Sequence, residues 1–191
     1  MSALILGINS AYHEPSAALL EDGVMRGSVA EERFNRYKHG KAARVDNTHE
    51  LPYASIDYCL DQAGATLSDV DMIGFSFLPD VRLARCVDVD AGKELPPDSW
   101  GTESGERRFR EGLLRIPELL SARAGVDLTH RFHFLSHHMC HAASSFFASP
   151  FDEAAVLVVD GIAESASTLL ARGMGNRLEA LGEIDYPNSL G

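Results

Sequence analysis

Leu4-Ile5-Leu6-Gly7-Ile8-Asn9-Ser10-Ala11-Tyr12-His13-Glu14-Pro15-Ser16-Ala17-Ala18-Leu19-Leu20-Glu21-Asp22-Gly23-Val24-Met25-Arg26-Gly27-Ser28-Val29-Ala30 holds three short extended runs separated by turn residues. Leu4–Ile8 and Ser16–Leu20 are apolar and too short for helices, and Val24–Ala30 follows a tight Glu21-Asp22-Gly23 turn. Asp-Gly is the dipeptide that tight two-residue hairpins favour, because both central positions need positive φ. The run therefore predicts an antiparallel meander of three strands at the start of the fold.

Moving outward, a helix is expected from Pro52 to Gln62, with Ile56, Cys59 and Leu60 at helical spacing. Asp71–Phe77 reads as the next strand. Pro79–Glu106 carries Asp88, Asp90, Glu94 and Asp98 beside Pro96-Pro97 and reads as a surface insertion. Arg107–Ala124 has the apolar stripe of one helix, and Arg131–Leu135 reads as a strand. A helix continuing through Ala142–Ala148 should stop before Pro150. Ala154–Val159, Ser165–Arg172 and Leu178–Ile184 read as three more strands. The order predicts an α/β fold with a mixed β-sheet flanked by helices.

Composition narrows the function classes. A chain of 191 residues with 45% hydrophobic and 24% charged residues can bury a real core and is not a disordered tail. A net charge of -11 argues against a nucleic-acid partner. No apolar run is long enough to span a bilayer. Cys59, Cys86 and Cys140 are few, scattered and odd in number, which fits reduced thiols and a cytoplasmic setting. Against the acidic background, Arg33, Arg36, Lys38, Lys41 and Arg44 form a local basic loop suited to an anionic substrate.

One constellation suits a metal or phosphate site. His137 and His141 stand at i and i+4, so on a helix both imidazoles can reach one ion. Asp160-Gly161 ends the apolar run Ala154–Val159 and places a carboxylate at a strand end. His138, next to these residues, should point elsewhere, as a supporting or capping group. Cys140 lies on another helical face and reads as neither nucleophile nor ligand, and His130 and His133 read as structural.

The strand-turn-strand pattern around Asp160–Ser165 echoes that around Asn9–His13. Such turns gather backbone N–H groups around an anion, and Gly161 allows close approach. Paired turns of this kind hold nucleotide phosphates in actin-like and hexokinase-like ATPases.

Gly7–Ala18, Ala30-Glu31-Glu32-Arg33-Phe34 and Lys38-His39 together resemble the start of the NodU/CmcH/TobZ-type O-carbamoyltransferases. His137–Phe146, Val158-Val159-Asp160-Gly161 and Tyr186–Gly191 are similar to further landmarks of that family, in the same order. The resemblance implies that residues 1–191 are the N-terminal part of a Kae1-like domain, an actin-like ATPase (ribonuclease H-like) lobe. On that reading the second lobe and a YrdC-like domain are absent, to be supplied in cis or in trans. An incomplete lobe would expose apolar surface, so a homodimer is also expected.

The activity implied is transfer of a carbamoyl group from carbamoyl-adenylate, made from carbamoyl phosphate and ATP, to a hydroxyl of a small-molecule acceptor in secondary-metabolite or antibiotic biosynthesis. By the same resemblance, His137, His141 and Asp160 would hold a divalent metal, iron by type. His13 would be the general base, and Lys38 would contact carbamoyl-adenylate as a catalytic and cofactor-binding cation. Ala163-Glu164-Ser165 departs from the family, which commonly has glycine and an aromatic residue around this glutamate. Two other classes fit the residues: another actin-like ATP-dependent enzyme, such as a threonylcarbamoyl-adenosine synthase relative, and a non-catalytic metal- or nucleotide-binding module.

Overall fold

A computed structural model of the protein describes residues 2–89 and 95–189. The opening meander forms as β1 (Leu4–Asn9), β2 (Ser16–Glu21) and β3 (Val24–Ala30). Asp22 and Gly23 take φ of 50° and 78°, the left-handed pair that the tight turn requires. After a one-turn helix α1 (Glu32–Asn35) comes α2 (Tyr53–Gln62). Its first turn is capped from a distance: the Glu31 carboxylate accepts the N–H groups of Ala54 and Ser55 at 3.2 and 2.8 Å.

The strand β4 (Met72–Phe75) pairs parallel to β1, with Ile5 opposite Met72 and Ile8 opposite Phe75. The short β5 (Phe132–Phe134) pairs parallel to β4. The resulting sheet has the order β3-β2-β1-β4-β5. A meander extended by parallel strands at the edge of β1, with helices between them, is the mixed α/β arrangement expected from the sequence. Its core gathers Leu6, Ile8 and Leu19 from the meander, Ile56 and Cys59 from α2, and Ile73, Phe75 and Phe77 around β4.

Two expectations are corrected here. Pro79–Glu106 is not simply a surface insertion: α3 (Pro79–Val89) and the start of α4 (Glu103–Leu114) occupy much of it. The two helices are clamped by a buried ion pair, Arg82 Nη2 to Glu106 Oε1 at 2.6 Å, a form of cohesion that hydrophobic spacing does not reveal. Asp90 and Glu94 lie outside the described residues, as does the side chain of Asp88, while Asp98 is exposed. Arg107–Ala124 is two helices, α4 and α5 (Ile116–Ala124), meeting at Arg115. Pro117, in the first turn of α5, has no N–H to continue the preceding helix and crowds the carbonyl four residues back.

The last helix, α6 (His137–Phe146), leads to β6 (Glu153–Val159), β7 (Ala166–Met174) and β8 (Arg177–Asp185). These strands form a separate antiparallel sheet in the order β6-β7-β8, repeating the opening meander beyond the first sheet. Phe146 and Ala142 of α6 pack on Val156, Val158, Leu169 and Ala171 in a second, smaller core. The opposite face of this sheet leaves Leu157 and Leu170 exposed. No helix among the described residues is long and apolar enough to cross a membrane.

Candidate metal centre and cavity

Three strand ends converge beside the start of α6. Asn9 ends β1, Ser76 follows β4, and Asp160 follows β6. Ser76 Oγ donates to Asn9 Oδ1 at 2.9 Å, tying the first two ends together. Ligand crevices in sheets of this kind lie at such carboxyl ends. A cavity of about 490 Å³ opens here, lined by Asn9, His13, His137, His141, Asp160 and Gly161, with Tyr12, Glu14, Arg82 and Trp100 among its other walls.

The helix expected for the histidine run is present, so His137 and His141 sit one turn apart on one face. Their Nε2 atoms lie 3.1 Å apart. Asp160 Oδ2 lies 3.2 Å from His137 Nε2 and 3.8 Å from His141 Nε2. One donor atom from each of the three lies within 4.8 Å of the others. The Ser76 carbonyl sits 3.0 Å from His137 Nδ1, which favours the proton on Nδ1 and leaves the Nε2 lone pair facing the centre. Two imidazoles and one carboxylate with converging lone pairs suit a late divalent metal with open coordination positions.

Electrostatics agree with that geometry. The His137 imidazole, with His138 behind it, holds the Asp160 carboxyl far below the usual carboxylate range. Burial works against charge on His137, but the Asp160 carboxylate and the Ser76 carbonyl outweigh it and raise its pKa. At His141, burial and the neighbouring His137 lower the pKa. Burial also pushes the Cys140 thiol up to about 11, which leaves it a poor nucleophile at neutral pH.

His138 departs from expectation in direction, though it still supports a neighbour of the centre. It is buried beside the centre rather than turned away, with Nε2 3.7 Å from Asp160 Oδ2. Among the described residues neither of its ring nitrogens has a hydrogen-bond partner. Glu164, given no role of its own by the sequence, has one oxygen that accepts the backbone N–H of both His137 and Leu78 at 2.9 Å. No sequence pattern marks this role, because the contacts span 27 and 86 residues. Ala163, where glycine is common, is buried without positive φ, and its N–H donates to Ala166 O at 2.8 Å.

The basic loop is only partly free. Lys41 is buried and donates to the carbonyls of Ser10 at 2.7 Å and Asn47 at 3.3 Å; burial lowers its pKa to about 8. Arg44 forms a bidentate pair with Asp46. Lys38 is exposed and is not among the residues lining the cavity. The neighbour that approaches His13 is His39, with ring centroids 5.6 Å apart.

The sequence model of the family described as "Carbamoyltransferase N-terminus" matches residues 4–191. The chain is 39% identical over 194 residues to the uncharacterized protein sll1178 of Synechocystis sp., covering 98% of this chain and 30% of that protein. It is 33% identical over 187 residues to nodulation protein NolNO of Sinorhizobium fredii, covering 96% of this chain and 24% of that protein. It thus spans less than a third of either curated relative. Among solved structures, YeaZ from Pseudomonas aeruginosa aligns with a TM-score of 0.49 at 14% identity, over 94% of this chain and 64% of that one. A Ppx/GppA family member from Aquifex aeolicus aligns with a TM-score of 0.43 at 13% identity, over 98% and 52% respectively.

Proposed function

The chain belongs to the carbamoyltransferase N-terminal family, and we propose that it forms the transfer site for moving a carbamoyl group from carbamoyl-adenylate to a hydroxyl of a small-molecule acceptor. Carbamoyl-adenylate would be made from carbamoyl phosphate and ATP by a part of the protein, or a partner, beyond these residues. The acceptor would be a secondary metabolite. The observation that carries this reading is the sharing of one cavity by the His137–His141–Asp160 triad and His13.

His137, His141 and Asp160 fit a divalent metal of the iron type through their converging donors, with the buried ring of His138 against Asp160. When bound, such an ion supplies positive charge that offsets the phosphate of the leaving adenylate. The remaining chemistry falls to the chain. The His13 imidazole, exposed at the cavity, takes the proton of the acceptor hydroxyl. The acceptor oxygen bonds the carbamoyl carbon, the bond from that carbon to the adenylate oxygen breaks, and AMP leaves. Gly161 leaves its side of the cavity open, with nothing within 4 Å of where a Cβ would sit, so a phosphate can approach the backbone. Lys38, on the exposed basic loop, is the cation proposed to meet carbamoyl-adenylate.

The test is acceptor carbamoylation by the longer protein that includes this chain, supplied with carbamoyl phosphate and ATP. His13→Asn and His137→Ala should each lower turnover at least ~100-fold, the scale of losing a general base or a metal ligand. Full transfer by both variants would refute the assignment. Carbamoyl-adenylate formation should survive in both, since that step is placed elsewhere.

A further inference from the structure

We propose a second divalent-metal centre at His13, Glu14 and His39, on the rim of the same cavity and separate from the His137–His141–Asp160 triad. One donor atom from each of the three residues lies within 4.8 Å of the others. Glu14 Oε1 is 3.2 Å from His39 Nδ1, and Glu14 Oε2 is 4.0 Å from His13 Nδ1. Donors bound to one late divalent ion at ~2.1 Å sit roughly 3–4 Å apart, so small side-chain rotations bring all three onto one ion. Two imidazoles and a carboxylate form a facial donor set that suits zinc, cobalt or iron and leaves positions open for a water or a hydroxyl.

The backbone holds these donors in place before any ion arrives. Glu14 N–H donates to His39 O at 2.7 Å, joining the turn after β1 to the loop after α1. His39 N–H donates to Glu32 Oε2 at 2.7 Å, and Asn9 Nδ2 donates to Glu14 O at 3.0 Å. Glu14 and His39 both occupy left-handed backbone, with φ of 56° and 65°. Such conformations are costly for residues other than glycine, and they fix the direction in which each side chain leaves the chain. All three side chains are about half exposed or more, so an ion and a substrate atom can both reach them.

This inference goes beyond the transfer reading and does not depend on it. Without an ion at the rim His13 is the base of the transfer reading; with an ion bound through Nδ1 it is a ligand, and the ion takes over the activation of the acceptor. A hydroxyl bound to that ion gives up its proton to solvent water at a lower pH than a free alcohol does. The centre therefore offers a second way to activate an acceptor on the same side of the cavity.

The test is cobalt(II) binding to the 191-residue chain, followed by equilibrium dialysis and by visible absorption. Two ions per chain are expected in the unchanged protein. Glu14→Gln combined with His39→Asn should bind one; asparagine tolerates the positive φ at position 39. His137→Ala combined with His141→Ala should also bind one, with a different spectrum, and the fourfold variant should bind none. Circular dichroism identifies any variant that fails to fold, and singly substituted Glu14→Gln or His39→Asn then replaces it. A single ion unaffected by the Glu14 and His39 changes overturns this proposal and leaves the first centre standing. No binding overturns both centres. The ion count is read without activity, so it decides this proposal whatever the transfer assay of the longer protein shows.

Discussion

The side chain of Glu164 holds the backbone of His137: one carboxylate oxygen accepts that N–H at 2.9 Å and the N–H of Leu78 at the same distance. The first turn of a helix leaves its N–H groups without partners inside the helix. A carboxylate at that end both satisfies the group and complements the helix dipole. Glu164 therefore sets where α6 begins relative to β4, and so where His137 and His141 point.

Replacing Glu164 with alanine should strand two N–H groups and let the start of α6 drift. The expected loss is about 1–3 kcal/mol of stability and roughly 10–100-fold in affinity for cobalt at the His137–His141–Asp160 centre. Chemical denaturation and metal titration of the same variant check both numbers. Unchanged metal affinity in a folded variant would refute the positioning role.

Lys41 gives a pH dependence with a definite sign. Its pKa falls from 10.5 in an open chain to about 8 when folded, because burial disfavours the charge. As pH falls from 10.5 towards 8, the unfolded chain binds a proton that the folded chain does not, so this group lowers stability over that window. The cost is full below the folded pKa and is relieved as pH rises, with a span of about 3 kcal/mol. Lys41→Met should remove this slope. Unfolding free energies of both proteins measured across that range decide the matter, and parallel curves would sink the prediction.

Glu106 and Arg82 are both buried, and the guanidinium of Arg82 also lies 5.5 Å over the Trp100 ring. Breaking one side of such a pair leaves an uncompensated charge. Glu106→Leu should cost about 3–5 kcal/mol, whereas adding Arg82→Met should recover much of that loss. A double-mutant cycle by urea denaturation would measure the coupling.

Gly173 lies under the ring of Phe146. A Cβ at this position would fall 2.5 Å from Phe146 Cδ2, which is possible only if α6 and β7 separate. Gly173→Ala should destabilise by about 1–3 kcal/mol, and Phe146→Leu in the same chain should restore part of it. Additive losses in thermal unfolding would contradict this account of the contact.

The three-strand opening, the helix α2, the helical histidine run and the repeat of the meander at β6–β8 were all legible from residue spacing. Each of these rests on local rules: strand alternation, helical periodicity, and the Asp22-Gly23 turn. The helix α3 and the break at Arg115 were not read, because one is held by a long-range ion pair and the other by a proline near a stripe that still looked continuous. At the site, spacing alone put His137 and His141 on one helix face. Spacing did not show that His138 would be buried beside Asp160, or that His39 would approach His13.

The order of side chains along the chain determined which donors exist, which share a helix face, and that a mixed α/β fold of the carbamoyltransferase type would carry them. Only the tertiary structure decided that Asp160 closes on the histidines, that Glu164 and Ser76 orient them, and that Glu14 joins His13 to His39. The reason is physical. Periodicity encodes contacts within a turn of helix or across a pleat, whereas these contacts arise where separate strand ends and loops meet, and packing between distant segments sets their distances.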